Sequence, residues 1–253
     1  MRAVLDGTPT EDPRVPATDT GLLRGDGAFE VVRVYGGRPF ALDDHLARLR
    51  RSCAGLRLEA DLEAVRGDVA TLLDGAGAVD AAVRIVLTRG GRRLVLLEDL
   101  PDWGPTIRLA CVTYAPTRLL DGIKSLSYAP NVLATRLARE QGADEALLVT
   151  PHGRVLEAPT SAVFVGLGGR LVTPPLEDHV LDSITRRRLL GLVPCEERPV
   201  TREDLRRADE AFLASTTREV HPVASVDGEA LPAAPGPLTS AAAEAFRAHV
   251  AGS

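Results

Sequence analysis

The alternation of apolar and polar positions over the first hundred residues predicts a compact α+β unit. Phe29–Tyr35 has the composition of a β-strand, and the two glycines that follow it suit a tight turn. Leu42–Leu56 places apolar residues at spacings of four and three, which is the period of an amphipathic helix. A second helix is predicted over Asp61–Leu73. Three further strands are predicted in this part of the chain: Ala82–Thr88, Arg93–Leu97 and Ile107–Thr113.

The second half of the chain begins after a segment rich in turn residues. Ala115–Gly122 contains a proline and a glycine and is the best candidate for a linker. Beyond it the pattern predicts helices at Asn131–Gln141, Thr185–Leu192 and Leu238–Val250, and strands at Glu145–Thr150, Ser161–Leu167 and Ala211–Ala214. We therefore expect two domains, residues 1–117 and 118–253, in the α+β or α/β fold class.

Composition then narrows the class of protein. The 253 residues carry 30 basic and 35 acidic side chains, a net charge of −5, so nothing indicates nucleic acid or a membrane surface as a partner. The 45% of hydrophobic and 26% of charged residues are typical of a globular protein. No apolar run reaches the ~20 residues of a membrane helix, and no signal peptide is evident, so we expect a cytoplasmic protein. Three widely separated cysteines lack metal-ligand spacing, and no metal site is expected.

The basic residues are almost all of one kind. Of the 30, 29 are arginine, and Lys124 is the single lysine. Arginine stays protonated and cannot act as an amine nucleophile, so a lysine kept at one position suggests that a primary amine is needed there. Ile123 and Leu126 give it an apolar setting, which lowers the pKa of a lysine toward nucleophilic use. The plain alternative is an exposed loop lysine that survived a bias in composition.

Glu157 is the second candidate for chemistry. It follows the apolar pair Val155 and Leu156, and a carboxylate among apolar strands is costly unless it has a cationic partner. A protonated ring nitrogen of a pyridine cofactor would be such a partner. A glutamate at the exposed end of a strand is the simpler explanation when the residue is taken alone.

Three segments could hold a phosphate group. They are the helix start at Ser183–Thr185, the hydroxyl cluster Ser215–Thr217, and Arg48 on the first predicted helix. Each has an ordinary alternative, namely a helix N-cap, a turn and a solvated arginine. These candidate phosphate sites are informative because they occur in one chain with a candidate amine and a candidate carboxylate.

These residues fall within blocks that resemble one enzyme family. Arg24–Ser52 (RGDGAFEVVRVYGGRPFALDDHLARLRRS) resembles the opening of the class IV, or fold type IV, pyridoxal-phosphate transaminases. The resemblance continues in family order through Ile123–Val149, Arg154–Val165, Leu171–Arg186 and Phe212–Gly228, and so spans nearly the whole chain. The family includes D-amino-acid transaminases, branched-chain aminotransferases and 4-amino-4-deoxychorismate lyases.

The resemblance implies pyridoxal 5′-phosphate as cofactor and a role for each matching residue. Lys124 would be the Schiff-base lysine and the acid–base group of the proton shift, and Glu157 would pair with the pyridinium nitrogen. The remaining cofactor contacts would be Arg48, Ile184, Thr185, Ser215 and Thr216 at the phosphate, Leu181 on the ring and Tyr128 at the phenolic oxygen. The implied fold is a small N-terminal α/β domain and a larger C-terminal pseudo-barrel domain, with the cofactor between them and a homodimer completing the site.

The substrate class rests on weaker features of the same resemblance. Ser215–Thr217 stands where branched-chain enzymes usually carry Gly-Thr-Ala, and Phe212–Gly228 resembles D-amino-acid transaminases most. We therefore expect amino transfer between a D-amino acid, such as D-alanine or D-glutamate, and 2-oxoglutarate or pyruvate. The Arg-x-His pair of well-known D-specific enzymes is absent, so the candidates for substrate contacts are Phe29, Arg33, Arg92 and Arg93. The alternatives are 4-amino-4-deoxychorismate lyase, which eliminates pyruvate to give 4-aminobenzoate, and a non-catalytic binding protein that retains the fold.

Overall fold

The structure is a computed structural model that describes residues 2–252. Contacts within the chain divide it into two units: residues 2–101 with Gly122–Tyr128, and Asp102–Asp121 with the residues from Ala129 onward. The sequence-based boundary at residue 117 differs from this division in two respects. The strand Ile107–Thr113 belongs to the second unit, because both of its neighbours in the sheet are strands of that unit. Gly122–Tyr128 returns to the first unit, because the Phe29 N–H donates to the Lys124 carbonyl at 3.1 Å.

The first unit contains an antiparallel sheet and the helices that cover it. Its strands are β1 (Ala3–Leu5), β2 (Thr8–Thr10), β3 (Gly27–Tyr35), β4 (Arg38–Pro39), β5 (Ala81–Thr88) and β6 (Arg93–Glu98). Its helices are α1 (Thr20–Arg24), α2 (Leu42–Leu56) and α3 (Leu62–Ala76). The described strands lie in the order β2-β1-β6-β5-β3-β4, and each pairs with its neighbours in antiparallel register.

The burial of alternate residues along strand β3 shows which face of this sheet the helices cover. Its side chains alternate between the two faces, so Val32 and Val34 lie together on one of them. Both are fully buried in a core that includes Leu49 of α2 and Leu72 of α3. Phe29 therefore belongs to the opposite face, which α2 and α3 do not cover.

Both helices of this core follow from their sequences. Helix α2 is confirmed with the predicted bounds, and Arg57 in the left-handed conformation (φ 53°) ends it. Helix α3 begins one residue later than predicted because Asp61 is its N-cap. The Asp61 carboxylate accepts a hydrogen bond from the Ala64 N–H at 3.0 Å, which satisfies one of the unpaired donors of the first turn.

The second unit contains a larger mixed sheet. Its strands are β7 (Ile107–Thr113), β8 (Glu145–Val149), β9 (Arg154–Val155), β10 (Ala162–Leu167), β11 (Arg170–Thr173), β12 (Cys195–Glu197), β13 (Val200–Thr201), β14 (Glu210–Ser215), β15 (Glu219–Val226) and β16 (Glu229–Ala230). Its α-helices are α4 (Ala129–Glu140), α5 (Ile184–Leu192), α6 (Arg202–Arg206) and α7 (Pro237–Ala251), with short 3₁₀ turns at Arg118–Leu120 and Leu176–Asp178. The described strands run in the order β12-β11-β10-β14-β15-β7-β8-β9-β13, with β16 beside β15. The β15–β7, β7–β8 and β11–β12 pairs are parallel.

The core of this unit lies on both faces of its sheet. Strand β8 (EALLV) is buried along its whole length, as expected for a strand covered on each side. Leu147 packs into the cluster that includes Leu213, whereas Leu148 packs with Ala134 of α4. The fully buried rings of Phe164 and its cross-strand partner on β14 stack with centroids 4.7 Å apart.

Two further observations bear on the class of protein. Within residues 2–252, no helix has the length and hydropathy needed to cross a membrane. In that same part of the chain, no group of three or more His, Cys, Asp or Glu side chains is arranged to hold a metal ion.

Candidate active site

Lys124 is fixed by strand β3 and helix α2 of the first unit. Its carbonyl accepts from the Phe29 N–H, and its own N–H donates to the Ser52 hydroxyl at 3.0 Å. Ser52 has no exposed area, so this anchor lies inside the core. The next residue, Ser125, forms an isolated bridge with Ala28 of β3. The backbone on both sides of the lysine is therefore held against elements of one core.

Two aromatic rings surround the amine of Lys124. The Nζ atom lies 4.2 Å from the ring centroid of Phe29 and 5.6 Å from that of Tyr128. The two rings meet edge to face, with centroids 5.2 Å apart. Aromatic faces attract an ammonium group, so the two rings help to orient the amine. The structure thus brings together three of the residues predicted from the sequence.

Arg48 belongs to a buried cluster of three charged or titratable groups in the first unit. Its Nε and Nη2 atoms each donate to Glu30 at 2.7 Å, one to each carboxylate oxygen. His45 Nδ1 contacts Glu30 Oε2 at 2.8 Å. Glu30, His45 and Arg48 are 0%, 1% and 4% exposed. Such a triad is costly to bury and is disrupted by removal of any one member.

The charge state of this triad follows from burial and pairing. Burial alone would raise the pKa of Glu30, but the hydrogen bonds and charges of Arg48 and His45 outweigh it and lower that pKa to about 2. Burial lowers the pKa of His45, with further contributions from the nearby positive charges of Arg48 and Lys124, against the opposing effect of Glu30. At neutral pH the cluster is therefore an ionised Glu30, a charged Arg48 and a neutral His45 that donates from Nδ1.

Glu30 and His45 were not among the residues predicted from the sequence. Glu30 shares the helix-covered face of β3 with Val32 and Val34, and a carboxylate on an apolar strand face is a visible signal. His45 and Arg48 are one turn apart on α2, so both can reach the same partner. The period-two pattern of β3 combined with the i, i+3 pair on α2 could have identified the triad.

The structure separates the three arginines predicted to contact substrate. The Arg92 guanidinium donates to Asp6 at 2.7 Å, and Arg93 is paired with Asp68 of α3. Arg93 therefore faces the helix-covered side of the sheet. Arg33 lies on the other side, on the β3 face of Phe29, with its guanidinium 4.7 Å from the ring centroid of Tyr35.

A fourth arginine, Arg84, lies on the sheet face that carries Phe29 and Arg33. It was not among the residues predicted from the sequence. It stands opposite Val31 in the β3–β5 register, and its guanidinium is 5.7 Å from the Phe29 ring centroid. Glu98 holds it through two hydrogen bonds, at 2.6 and 2.9 Å. Arg33 and Arg84 are thus the arginines that share a sheet face with the aromatic ring beside Lys124.

In the second unit, Glu157 is held by the segment that carries Leu181. The Glu157 carbonyl accepts from the Leu148 N–H at 2.9 Å, which fixes its backbone to β8. Its two carboxylate oxygens each accept from the Leu181 N–H at 3.3 Å. Burial and the charge of Glu157 raise the pKa of Tyr114, which places the phenol near this carboxylate. The residues predicted for the cofactor nitrogen and the cofactor ring therefore meet.

The predicted phosphate contacts of this unit lie at a helix start and at a strand end. Ser183 is the N-cap of α5, and its hydroxyl accepts from the Arg186 N–H at 3.3 Å. Ile184 and Thr185 are buried in the first turn, where backbone N–H groups have no partner within the helix and attract anions. Ser215 ends β14, and Thr216 follows it as a half-buried turn residue.

These residues together contain the groups that a pyridoxal phosphate enzyme requires. The first unit contains the single lysine amine and a buried guanidinium, and the second contains a carboxylate suited to a ring nitrogen and neutral donors suited to a phosphate. The chain also matches the family described as Amino-transferase class IV over residues 27–226. It belongs to the class IV aminotransferases. The predicted family, the fold type IV architecture and the pyridoxal phosphate cofactor are thereby confirmed.

Individual relatives cover most of the chain. D-alanine aminotransferase of Bacillus licheniformis is 34% identical over 94% of this chain and 93% of its own length. A Methanocaldococcus jannaschii protein with the provisional name branched-chain-amino-acid aminotransferase is also 34% identical, over 91% and 90%. A hypothetical aminotransferase from Mycobacterium tuberculosis, solved in a PLP-bound form, superposes with a TM-score of 0.88 at 26% identity, covering 100% and 99% of the two chains. Structures of 4-amino-4-deoxychorismate lyases share the fold as well. The chain is therefore a class IV transaminase, with amino acids and 2-oxo acids as its implied substrates.

Proposed function

We propose that this aminotransferase transfers the amino group of a D-amino acid, such as D-alanine or D-glutamate, to 2-oxoglutarate or pyruvate. The observation that carries the proposal is the Lys124 amine against Phe29 on a sheet face that also presents Arg33 and Arg84. Guanidinium forks suit the carboxylates of amino acids and 2-oxo acids. The likeness to the Bacillus D-alanine enzyme and the hydroxyl-rich Ser215–Thr217 favour the D-series, whereas the equally similar archaeal relative makes branched-chain substrates the main competitor.

The residues of the chain divide the chemical work. When bound, pyridoxal phosphate supplies an aldehyde for capture of an amino group and an electron-withdrawing ring that stabilises negative charge at the substrate Cα. Lys124 supplies the amine that the substrate displaces, and then moves a proton to and from the substrate Cα. Glu157, held by the Leu181 N–H, presents a negative charge for the ring nitrogen. Tyr128 beside the amine is assigned to the phenolic oxygen.

Phosphate binding is assigned to one charged and several neutral groups. Arg48 is oriented by Glu30, and the first turn of α5 offers the N–H groups of Ile184 and Thr185. The hydroxyls of Ser215 and Thr216 add neutral donors at the end of β14. Multiple donors of this kind bind a dianion and hold it in one orientation.

For the substrate carboxylate we favour Arg33 and Arg84 over Arg92 and Arg93. The latter two are engaged by Asp6 and Asp68, and Arg93 faces α3. Arg84 has a carboxylate partner too, but it lies beside the Phe29 ring. Replacement of Arg84 by methionine should therefore raise the KM for both amino donor and 2-oxo acid, and an Arg92→Met control should not.

We also propose a homodimer. The family resemblance implies it, and α1 exposes Leu22 and Leu23 by 65% and 61%, which is the kind of apolar surface that a second copy would cover. Light scattering of the purified protein should give twice the chain mass of 26.9 kDa. A monomer that is fully active at all concentrations would contradict this part of the proposal. The cytoplasmic location stays a prediction.

The experiment that tests the activity is a substrate panel on the PLP-loaded enzyme. D-alanine with 2-oxoglutarate should yield pyruvate and glutamate at a higher rate than any L-amino acid, and Lys124→Ala should abolish both products. Faster turnover of branched-chain L-amino acids would replace the D-specific assignment. Pyruvate release from 4-amino-4-deoxychorismate with no amino acceptor would indicate the lyase, and protein that stays colourless with added PLP would indicate a binding protein.

A further inference from the structure

A buried ion pair lies in the second unit among residues that the proposed chemistry does not use. Arg218 donates to Glu145 Oε2, and the two residues are 8% and 5% exposed. Arg218 Nη1 also contacts His221 Nδ1 at 3.2 Å. The Arg218 guanidinium carbon lies 3.6 Å from the ring centroid of Trp103, so the indole covers one face of the guanidinium.

Such a pair is not explained by stability alone. Burial raises the pKa of Glu145 and lowers the pKa values of Arg218 and His221, which shows that these groups lose solvation without full compensation. Apolar residues of similar volume are often as stable or more stable at such positions. The hydrogen bonds of this pair give it a second role, because they hold two segments of the chain in place.

The two oxygens of Glu145 hold two different segments. Oε1 accepts from the Thr160 hydroxyl at 3.3 Å, and Oε2 accepts from Arg218. Thr160 lies three residues after Glu157, in a turn closed by hydrogen bonds between Ala158 and Ser161 in both directions, at 2.8 and 3.3 Å. The Thr160 hydroxyl therefore connects Glu145 to the turn that directly follows Glu157.

Arg218 lies near two other predicted cofactor residues, Ser215 and Thr216, along the chain. It follows Thr216 by two positions, inside the turn between β14 and β15 that Ser215 and Glu219 close as a cross-strand pair. Glu145 itself begins β8, a fully buried strand of the central sheet. The buried strand β8 thus carries one carboxylate that is bonded to both segments.

We propose that Glu145 and Arg218 are positioning residues that tie the Glu157 turn to the Ser215–Thr216 turn, so that the groups for the ring nitrogen and for the phosphate keep a fixed spacing. This inference rests on the proposed roles of Glu157, Ser215 and Thr216. Neither member of the pair acts on the reacting atoms. Its effect is on cofactor affinity and geometry, which can be measured without turnover.

The chain contains its own reporter for this coupling. Trp103 is the single tryptophan, and it stacks on Arg218. Inorganic phosphate does not absorb tryptophan emission, so its binding at the Ser215–Thr216 turn can change the fluorescence only through the protein. The apoenzyme titrated with inorganic phosphate should show a saturable change in Trp103 emission.

Two conservative variants test the pair directly. Arg218→Lys keeps the charge but loses the planar fork, and Glu145→Gln keeps the shape but loses the charge. Each should raise the dissociation constants for inorganic phosphate and for PLP by roughly tenfold to hundredfold, the cost of losing a group that orients a ligand-binding residue. At saturating PLP most of kcat should return. The matched control is Arg198→Lys: Arg198 is paired with Asp204 of α6, and this substitution should leave both constants unchanged.

A third variant covers the case in which the buried replacements fail to fold. Thr160→Val removes only an exposed hydroxyl that donates to Glu145, so the melting temperature should stay unchanged while PLP binding weakens severalfold. Wild-type affinities in every folded variant would overturn the inference. If the wild-type enzyme binds PLP covalently at Lys124 but every folded variant keeps the wild-type affinities, this inference fails and the proposed function stands.

Discussion

The predicted cofactor contacts of the first unit and those of the second unit form two regions that differ in charge. In the first region, Arg48 is charged, buried and already paired with Glu30. In the second region, the donors are mostly neutral, namely the Leu181 N–H that binds Glu157, the first turn of α5 and half-buried hydroxyls. The first region thus contains a charge that is paired before any ligand arrives, whereas the second offers donors that a ligand can take up.

This difference has a consequence for energetics. A charged cluster in a core depends on all of its members, so losing one should damage both folding and function. A set of neutral donors is close to additive, so losing one should cost about one hydrogen bond. Single substitutions in the two regions should therefore separate these two behaviours.

Replacement of Lys124 should have the largest effect. Lys124→Ala removes the only lysine amine in the chain, so kcat should fall by at least ~10³-fold, the range expected for loss of a group that transfers protons in the transition state. The melting temperature should stay near that of the wild type, because Lys124 is half-buried and held through its backbone. The matched control is Lys124→Arg, which keeps the charge but not the nucleophile. Turnover by either variant within tenfold of the wild type would contradict the role of the amine.

Glu30→Gln should destabilise the fold most strongly among the site variants. It leaves the buried Arg48 without its anionic partner, and breaking a buried pair in this way costs about 3–5 kcal/mol of unfolding free energy. Urea unfolding at pH 7 measures the loss directly. Glu98→Gln, which breaks the half-buried pair with Arg84, is the control and should cost about 1 kcal/mol or less.

The same residue predicts an acid-dependent loss of stability. The pKa of Glu30 falls from its ordinary value of 4.5 to about 2 on folding, so its ionised form stabilises the native state above pH 4.5. That contribution should disappear as the pH falls from about 4.5 to about 2. In Glu30→Gln the stability between these pH values should depend less on pH. An unchanged slope would show that Glu30 is not the group that titrates.

Glu157→Gln should reduce the rate and spare cofactor binding. The amide oxygen can still accept from the Leu181 N–H, but it no longer carries a charge that keeps the ring nitrogen protonated. We expect kcat to fall by roughly 10²-fold, the usual cost of one preorganised electrostatic group, with PLP still bound. Steady-state kinetics with PLP titration measure both values. A wild-type kcat would refute the pyridinium role.

Ser183→Ala should have the smallest effect of the set. It removes the N-cap hydrogen bond to the Arg186 N–H, which is worth about 1 kcal/mol, and leaves the backbone donors of α5 in place. PLP affinity should therefore fall by less than tenfold. A loss as large as that of Glu30→Gln would show that the second region also behaves as an interdependent cluster.

The sequence predicted more of the residues in one region than in the other, for a physical reason. The composition singled out Lys124, and the family resemblance then implied cofactor contacts at Arg48, Glu157 and Thr185. Glu30 was missed because the composition of β3 does not by itself show which of its faces the helices cover, and Glu30 shares that face with Val32. Arg84 was missed because only the register with β3 places it opposite Val31.

The boundary between the units depends on strand pairings that the hydrophobic pattern does not show. Ile107–Thr113 has the alternation of a strand, but alternation does not say which sheet a strand joins. Its partners, β8 and β15, come later in the chain and pair with it in parallel. Similarly, the return of Gly122–Tyr128 to the first unit depends on backbone hydrogen bonds to β3, which leave no trace in side-chain hydrophobicity.

The central claim is that Lys124 forms the covalent bond to pyridoxal phosphate. Borohydride reduction of the PLP-loaded enzyme, followed by digestion and mass spectrometry, tests it most directly. The account predicts one phosphopyridoxyl group per chain on the peptide that contains Ile123, Lys124 and Ser125. A label on the chain's terminal amine alone, or bound PLP that leaves Lys124 unmodified after reduction, would contradict it.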